Sequence, residues 1–279
     1  MTGDTAPVFL ASFAAGLVVA LLATRVALVS APRSLTRINV NQRAVPVVLG
    51  VAVMLGCVAG GFGLMLALSL TGERLAATVG PGLVIAVAAV LFAAGLYDDR
   101  RGAEAARGFA GHLSSATGGA VTGGLVKVVA GGIAGALATL PAGSLGHKAE
   151  VFLLVPLTAN LFNLLDRAPG RAAKVGFVFL VPLVIFGPLG PALGLAGLLG
   201  ALLAVMPFDL RERAMLGDAG ANPIGAAIGL GLAYSLAEPF RLVAVLLIGG
   251  LNVVSERISF SGVIDSTPWL RTLDRIGRK

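Results

Sequence analysis

The sequence predicts an all-α integral membrane protein that crosses the bilayer about nine times. Its composition is the first indication, because 57% of the 279 residues are hydrophobic and only 13% are charged. A soluble globular domain is closer to half apolar and a quarter charged. The second indication is that the apolar residues form long continuous runs, whereas the strands of a membrane barrel alternate between apolar and polar residues.

The apolar runs that are long enough to cross roughly 30 Å of hydrocarbon define the predicted helices. They cover approximately residues 8–30, 45–70, 82–97, 122–141, 150–166, 174–187, 190–207, 219–237 and 240–254. The sixth and seventh runs are short because Pro182, Pro188 and Pro191 interrupt them. We expect a single domain over residues 1–279, since no internal repeat or low-complexity linker divides the sequence.

The distribution of basic residues predicts the orientation in the membrane. Alternate connections and the tail contain most of them: Arg33, Arg37, Arg43, Arg100, Arg101, Arg107, Arg167, Arg171, Lys174, Arg211, Arg213, Arg257, Arg271, Arg275, Arg278 and Lys279. The remaining connections contain only Arg74, Lys148 and Arg241. By the positive-inside rule the N-terminus is expected outside and the C-terminus in the cytosol. The net charge of +7 then reflects loops beside anionic lipid and not a nucleic-acid partner.

Residues 255–279 are expected to form a cytosolic amphipathic tail. In "STPWLRTLDRIGRK", Trp269, Leu270, Leu273 and Ile276 share one helical face, and basic residues occupy the other. This pattern is typical of a helix that lies on the inner leaflet and contacts membrane lipids. A merely solvated tail is the alternative.

Acidic residues stand at the ends of three predicted helices, all on the predicted cytosolic side. Asp98 and Asp99 end the third run in "GLYDDRRG", Asp166 ends the fifth in "NLFNLLDRAPG", and Asp218 begins the eighth in "MLGDAGANPIG". Adjacent carboxylates repel each other unless a cation neutralises them. Mg²⁺ prefers such oxygen ligands and usually keeps substrate phosphates in its coordination shell. The alternative is an ordinary helix end whose acids pair with the two arginines that follow.

Two asparagines precede the acid of the fifth run. Asn160, Asn163 and Asp166 have a spacing of three residues, which keeps them within about 120° on one side of a helix. The amides offer donors and acceptors to a phosphate or a nucleotide, and the acid offers a metal ligand. Hydrogen bonding between helices is the alternative use of asparagine in a membrane.

The third acidic motif and a lysine inside the fourth run complete the polar set. The turn "GDAGANPIG" offers free backbone N–H groups to an anion or presents Asp218 to a metal ion, although a simple helix cap would look the same. Lys127 lies about one turn inside the membrane, where a central cation costs roughly 3 kcal/mol. It either snorkels to the cytosol or contacts a substrate phosphate. His112 and His147 lack the spacing of metal ligands.

The motifs "YDDRRG", "NLFNLLDRAPG" and "GDAG" together resemble those of the polyprenyl-phosphate N-acetylhexosamine-1-phosphate transferases. That family includes the phospho-N-acetylmuramoyl-pentapeptide transferase of peptidoglycan synthesis. Its members carry an Asp–Asp pair, an N-x-x-N-x-x-D-G-x-x-G segment and a G-D-x-G segment, and the resemblance runs from about residue 33 to 230. It implies transfer of a sugar-1-phosphate from a UDP-sugar to a polyprenyl phosphate, with release of UMP, in envelope-polysaccharide or peptidoglycan synthesis.

The resemblance also implies a cofactor, a location and roles for individual residues. The reaction would use Mg²⁺, with Mn²⁺ as an alternative, at the cytosolic face of a bacterial plasma membrane, and a homodimer is left open. The implied catalytic residues are Asp98, Asp99 and Asp166, and the implied metal ligands are Asp218 and Asp166. The implied substrate-binding residues are Lys127, Asn160, Asn163, Arg167 and Gly170.

Two departures from the family pattern keep a second interpretation open. Arg167 replaces the glycine that follows the acid of the long motif, and the histidine-bearing loop near the C-terminus is missing. A non-catalytic relative that binds a lipid carrier, or that organises envelope synthesis, would explain both. A transporter would require polar groups near the middle of the membrane, whereas the acids here cluster at one surface.

Overall fold

The structure is a computed structural model that describes residues 5–72, 80–101 and 123–278. Arg74, Arg107, His112 and Lys279 lie outside these ranges. The helices are α1 (Ala6–Ser30), α2 (Leu49–Thr71), α3 (Pro81–Arg101), α4 (Gly123–Ala138), α5 (Leu145–Leu165), α6 (Arg171–Phe186), α7 (Leu189–Leu210), α8 (Asp218–Ser235), α9 (Phe240–Ser255), α10 (Phe260–Ser266) and α11 (Pro268–Arg275).

The predicted α-helical membrane protein is confirmed, whereas the number of crossings is not. Each predicted apolar run coincides with one of the helices α1 to α9. Among the described residues, α1, α2, α3, α5 and α7 are long and apolar enough to span a membrane. Helices α9 and α10 form a pair bent by 91°, which adds a sixth span only if the pair crosses as one. Helix α6, for example, has 16 residues and is therefore only about 24 Å long. Nine crossings and the direction of each crossing stay predictions.

A short β-hairpin in the first connection departs from the all-α prediction. Strand β1 (Thr36–Ile38) pairs with β2 (Ala44–Pro46) in antiparallel register. The side-chain oxygen of Asn39 accepts hydrogen bonds from the backbone N–H groups of Asn41 (3.0 Å) and Arg43 (2.8 Å). Asparagine favours turns of this kind because its side chain replaces a missing backbone partner. The apolar pattern of the sequence contains no signal for such a local turn.

The hairpin is attached to the segment that leads into α8. The Met215 N–H donates to the Pro46 carbonyl (2.9 Å), and the Leu49 N–H donates to the Met215 carbonyl (3.1 Å). The first connection therefore lies against the "GDAG" segment, although about 170 residues separate the two in sequence.

Helices α7 and α8 form the interior of the bundle. Helix α7 packs against α1 and α2, and α8 packs against α3 and α5. Nearly every residue from Ala219 to Gly231 is buried. The outer side of α1, by contrast, exposes Val18, Leu22 and Val26. An exposed apolar helix face of this kind is expected where lipid, and not water, surrounds the protein.

Glycine allows the backbones of α1, α2 and α7 to touch. A Cβ atom on Gly16 would lie 2.1 Å from the carbonyl oxygen of Gly197, and one on Gly60 would lie 2.3 Å from the Cα of Gly197. No side chain fits in these gaps, so the crossing requires glycine on all three helices. Small residues at such crossings are a usual basis of helix association in membranes.

The two ends of the bundle differ in their polar groups. The C-terminal ends of α3, α5 and α7 lie at the same end of the bundle as the N-terminus of α8. The predicted acidic motifs are therefore all at this end. At the opposite end, Arg241 forms an ion pair with Glu150, and the Tyr234 hydroxyl donates to the Ala138 carbonyl (2.7 Å). His147 lies at this opposite end, with a ring nitrogen 3.2 Å from the Ala233 carbonyl. Its contact is an interhelical hydrogen bond.

The substitution Gly16→Ala tests the glycine crossing. Its Cβ would force α1 and α7 apart, and overpacking of this kind typically costs about 1–3 kcal/mol. The measurement is the free energy of unfolding in mixed micelles, followed by circular dichroism. Gly132→Ala is the matched control, because a Cβ on Gly132 has no heavy atom within 4 Å. If the two variants are equally stable, the close packing at Gly16 is wrong.

Candidate active site

Asp99 joins the Asp–Asp motif directly to the "GDAG" motif. Its Oδ1 accepts a hydrogen bond from the backbone N–H of Asp218 (3.2 Å), and its Oδ2 accepts one from that of Ala219 (2.9 Å). The first N–H groups of a helix have no partner within the helix. Asp99 therefore caps α8 from a neighbouring helix, in the way that an N-cap residue does from within. The predicted catalytic Asp99 has a structural contact at the centre of the site.

Two glycines allow α3 and the start of α8 to approach this closely. A Cβ atom on Gly95 would lie 2.3 Å from the Asp218 carbonyl oxygen. Gly217 has a φ angle of +63°, and a Cβ there would lie 2.2 Å from Val47 and 2.8 Å from an Asp99 carboxylate oxygen. The first glycine of "GDAG" is thus required both by its backbone conformation and by its neighbours.

Lys127 links the two acidic motifs a second time. Its Nζ lies 2.5 Å from Oδ2 of Asp98 and also forms an ion pair with Asp218. The three side chains come from α3, α4 and α8, and all three are only partly exposed. A Cβ on Gly123, one turn before Lys127, would meet Asp98 at 1.9 Å. The lysine thus has anionic partners within the bundle, an arrangement that the sequence did not predict.

Asp166 belongs to the same group of carboxylates. It follows the last residue of α5 and caps that helix. Burial raises the pKa of Asp166 well above its usual range, and the charges of Asp209, Asp218 and Asp99 raise it further, while a hydrogen bond from the Gly217 N–H lowers it. These influences require the four carboxyl groups to lie near one another. Without a further cation, a group of acids this close together therefore retains protons to a higher pH than isolated carboxyl groups do.

Asp209 is a member of this cluster that sequence analysis missed. It is 3% exposed near the end of α7, and its Oδ2 accepts a hydrogen bond from the Gly170 N–H (3.1 Å). Gly170 is itself buried with a φ angle of +69°, so Asp209 holds the turn of residues 166–170 in place. A signal was present, because "PFDLRER" also has an acid at the end of an apolar run on the predicted cytosolic side.

A pocket of about 360 Å³ separates the 166–170 turn from the β-hairpin. Its polar lining comes from Asn39, Asp166, Arg167, Asp209 and Glu212. Glu212 accepts hydrogen bonds from the side-chain amides of Asn39 and Asn41 and so fixes the hairpin over the pocket. Arg167 is exposed here. Carboxylates, amides and one guanidinium together suit a ligand that carries both hydroxyl and phosphate groups.

The two asparagines of the long motif have different surroundings. The Asn160 amide donates to the side-chain oxygen of Asn252 on α9 (2.6 Å). Asn252 in turn donates to the carbonyls of Leu157 (3.1 Å) and Ile248 (2.8 Å). This is the interhelical hydrogen bonding that was the alternative for Asn160. Asn163 lies one turn closer to the site and is half-buried.

The carboxylates supply the kind of oxygen ligand that a magnesium ion prefers. Within residues 5–72, 80–101 and 123–278, no three His, Cys, Asp or Glu side chains form a group that could hold a metal ion by themselves. Mg²⁺, however, usually takes one or two carboxylates and completes its octahedron with water and substrate phosphates. Asp166 and Asp218, the acids of the long motif and of "GDAG", each offer carboxylate oxygens of the kind that Mg²⁺ takes.

Comparison with known proteins decides the family. The family model described as "Glycosyl transferase family 4" matches residues 82–236, which is more than half of the chain. The chain belongs to glycosyl transferase family 4. The matched region contains every acidic motif and Lys127, so the family resemblance predicted from the motifs is confirmed.

The curated relatives of this family 4 protein are mycobacterial enzymes of one name, decaprenyl-phosphate N-acetylglucosaminephosphotransferase. The one from Mycobacterium tuberculosis is 27% identical over 266 residues, which cover 82% of this chain and 63% of the relative. That from Mycobacterium leprae is 26% identical, with coverages of 84% and 65%. That from Mycolicibacterium smegmatis is 28% identical, with coverages of 63% and 51%. This chain thus spans less than two thirds of the length of these relatives.

The substitution Asp99→Ala tests the cap on α8. It leaves two backbone N–H groups without their acceptor, and an unsatisfied buried donor costs about 1–3 kcal/mol. We expect the free energy of unfolding in mixed micelles to fall by at least the cost of one unsatisfied donor, about 1–3 kcal/mol. Asp265→Ala removes an exposed acid of α10 and serves as the control. Equal stabilities of the two variants would show that Asp99 does not hold α8.

Proposed function

We propose that this family 4 protein transfers a sugar-1-phosphate from a UDP-sugar to a membrane polyprenyl phosphate and releases UMP. The observation that carries the proposal is the contact of Lys127 with both Asp98 and Asp218. Carboxylates from two distant motifs thereby face the same point at one end of a membrane bundle. The mycobacterial relatives support the acceptor class, since their name contains decaprenyl phosphate and an N-acetylglucosamine phosphate group.

The proposed reaction is a displacement at phosphorus. An oxygen of the lipid phosphate forms a new bond to the β-phosphorus of the UDP-sugar, and the bond from that phosphorus to the UMP oxygen breaks. Such reactions depend on alignment and on neutralising the charge of the phosphoryl oxygens. Asp98 would orient the acceptor phosphate and accept its proton where one is present. Lys127, adjacent to Asp98, would offer its ammonium group to a phosphate oxygen.

Asp218 and Asp166 would hold the metal ion in this proposal. Bound Mg²⁺, or Mn²⁺ with similar oxygen ligands, would supply positive charge to the pyrophosphate of the donor. Asp99 would maintain the position of Asp218 by capping α8. Asp209 would maintain the turn that bears Asp166 through its hydrogen bond to Gly170.

The pocket beside the 166–170 turn is the proposed donor site. Arg167 would contact a donor phosphate or the uracil base from the rim of this pocket, with Gly170 shaping the turn. Asn163 lies near the C-terminal end of α5, next to this turn, and would add an amide to the nucleotide contacts. Asn160 would contribute indirectly, because its bond to Asn252 fixes α5 against α9.

The proposed location is the plasma membrane of a bacterium, with the site facing the cytosol. Three basic residues lie at the same end of the bundle as the acidic cluster: Arg37 of the first connection, Lys174 in the first turn of α6 and Arg278 of the tail. The positive-inside rule assigns such an end to the cytosol. The product would serve envelope-polysaccharide or peptidoglycan synthesis.

The proposal predicts UMP release that depends on Asp98 and Asp218. Purified protein would be incubated with decaprenyl or undecaprenyl phosphate, Mg²⁺ and a panel of UDP-sugars, and UMP measured by chromatography. Asp98→Asn and Asp218→Asn are expected to lower the rate at least about 100-fold, the scale of a lost acid–base or charge contact. Asp265→Asn, in the exposed part of the tail, should retain the wild-type rate.

Two results would contradict this proposal, the first for the transfer reaction and the second for the role of Asp98. One is the absence of UMP from every donor while the protein binds polyprenyl phosphate tightly, which favours the non-catalytic binder. The other is equal activity in the Asp98→Asn and control variants, which would remove Asp98 from the mechanism.

Arg167 provides a separate prediction about the donor. If its guanidinium pairs with a donor anion, Arg167→Ala should raise the KM for the UDP-sugar about tenfold, because a charged hydrogen bond contributes roughly 1.5 kcal/mol. The turnover number should change little, since the reacting phosphorus lies nearer the carboxylates. Arg257→Ala, at an exposed arginine after α9, is the control. An unchanged KM would exclude Arg167 from the donor site.

A further inference from the structure

The C-terminal helix α11 is fastened to the start of α6 by a buried ion pair. Nε and Nη2 of Arg171 each donate to a different carboxylate oxygen of Asp274, both at 2.9 Å. Nη1 of Arg171 donates to the Ser261 hydroxyl (2.8 Å). Arg171 and Asp274 are both buried. A paired, two-bond contact between a guanidinium and a carboxylate fixes orientation as well as distance.

Further contacts join α11 to the 166–170 turn itself. Arg278 forms an ion pair with Asp274 (2.6 Å), and its Nε donates to the Pro169 carbonyl (2.8 Å). Lys174 donates to the carbonyls of Leu273 (3.2 Å) and Asp274 at the C-terminal end of α11. Burial opposes ionisation of Asp274, yet the surrounding cations hold its pKa below the usual range. The tail is therefore anchored to the turn that carries Asp166.

Among the residues that the structure describes, none covers the opposite side of α11, which is apolar. Trp269 is 65% exposed, Leu273 54% and Ile276 58%. Their spacing of four and three residues aligns them in one stripe. Leaving three large apolar side chains in water would forgo the favourable energy of burying them. Arg271 and Arg275 are exposed on the other side of the same helix.

The position of α11 in the fold indicates what covers this stripe. The chain bends by 91° between α9 and α10, so it leaves the direction of the membrane-crossing helices before α11 begins. Directly after α11, Arg278 contacts the connection between α5 and α6, where a candidate span ends. A helix at this level, with an apolar stripe and exposed arginines, matches the pattern of helices that lie in an anionic membrane surface.

We propose that α11 is a membrane-surface anchor: its Trp269, Leu273 and Ile276 stripe inserts into an anionic leaflet while its Asp274 side fixes the turn that bears Asp166. The lipid surface and the 166–170 turn are thus coupled through one short helix. The inference needs no substrate and holds whether or not the protein turns over a UDP-sugar.

The single tryptophan of the chain, Trp269, makes the lipid contact measurable. The full-length protein would be reconstituted in nanodiscs of phosphatidylcholine with and without phosphatidylglycerol. In the anionic discs we expect Trp269 fluorescence to be quenched by brominated lipid and protected from iodide. Strong iodide quenching without lipid quenching would show a solvated tail. Protection from both quenchers would show that protein, such as a second copy, covers the stripe. Either result overturns the proposal.

The double variant Leu273→Ser with Ile276→Ser tests the stripe directly. Both side chains are exposed, so their loss leaves the fold intact, and we expect quenching by brominated lipid to fall at least about twofold. Leu140→Ser, at an exposed leucine at the far end of the bundle, should leave the quenching unchanged. Equal quenching in the double serine variant and in Leu140→Ser would overturn the proposal that α11 is a membrane anchor.

Hydrogen exchange of the segment 166–170 tests the coupling without any assay of activity. In anionic nanodiscs, exchange there should accelerate at least about tenfold in Asp274→Asn and in the double serine variant. Asp265→Asn and Leu140→Ser should exchange at the wild-type rate. If the segment exchanges equally in all variants, the tail does not position the turn.

Discussion

The site depends on one interaction, the capping of helix α8 by the carboxylate of Asp99. That contact brings two motifs together that are separated by about 120 residues, and it does so with backbone atoms of Asp218 and Ala219. A charged acceptor at a helix N-terminus is favoured by the unpaired N–H groups and by the helix dipole. Because the cap orients the first turn of α8, it also decides where the Asp218 side chain points. The Lys127 bridge and the Asp166 turn assemble around this first turn.

The apolar part of the bundle makes this meeting of helix ends possible. Helices α7 and α8 consist largely of glycine, alanine and leucine, so the outer helices approach them closely enough for backbones to touch. Gly95 and Gly217 continue the same close packing into the site. The charged groups are then held rigidly at one end by closely packed helices, and the described loops beside them, the hairpin and the 166–170 turn, are fixed by Glu212 and Asp209. Such rigidity suits a reaction that depends on the alignment of two phosphates.

The sequence predicted the parts of this arrangement that follow from helix ends. The apolar runs located every long helix, and the acids at their ends predicted that Asp98, Asp166 and Asp218 share one face. Contacts that depend on how helices pack left no pattern in the sequence. The cap made by Asp99, the Lys127 bridge and the salt bridge of Arg171 with Asp274 are of this kind, because each joins segments about 90 to 120 residues apart. Hydropathy alone does not fix the number of crossings, since short helices that pack inside a bundle are as apolar as helices that span it, and nine crossings stay a prediction.

The central claim, that distant motifs meet at one point, is tested most directly by a double-mutant cycle between Lys127 and Asp218. The free energy of unfolding in mixed micelles would be measured for the wild type, Lys127→Met, Asp218→Asn and the double variant. Each single change already removes the ion pair between these two side chains, so we expect the double variant to be more stable than the sum of the single effects by about 1–3 kcal/mol. A coupling energy of zero would mean that the two side chains do not meet, and the proposed site would be wrong.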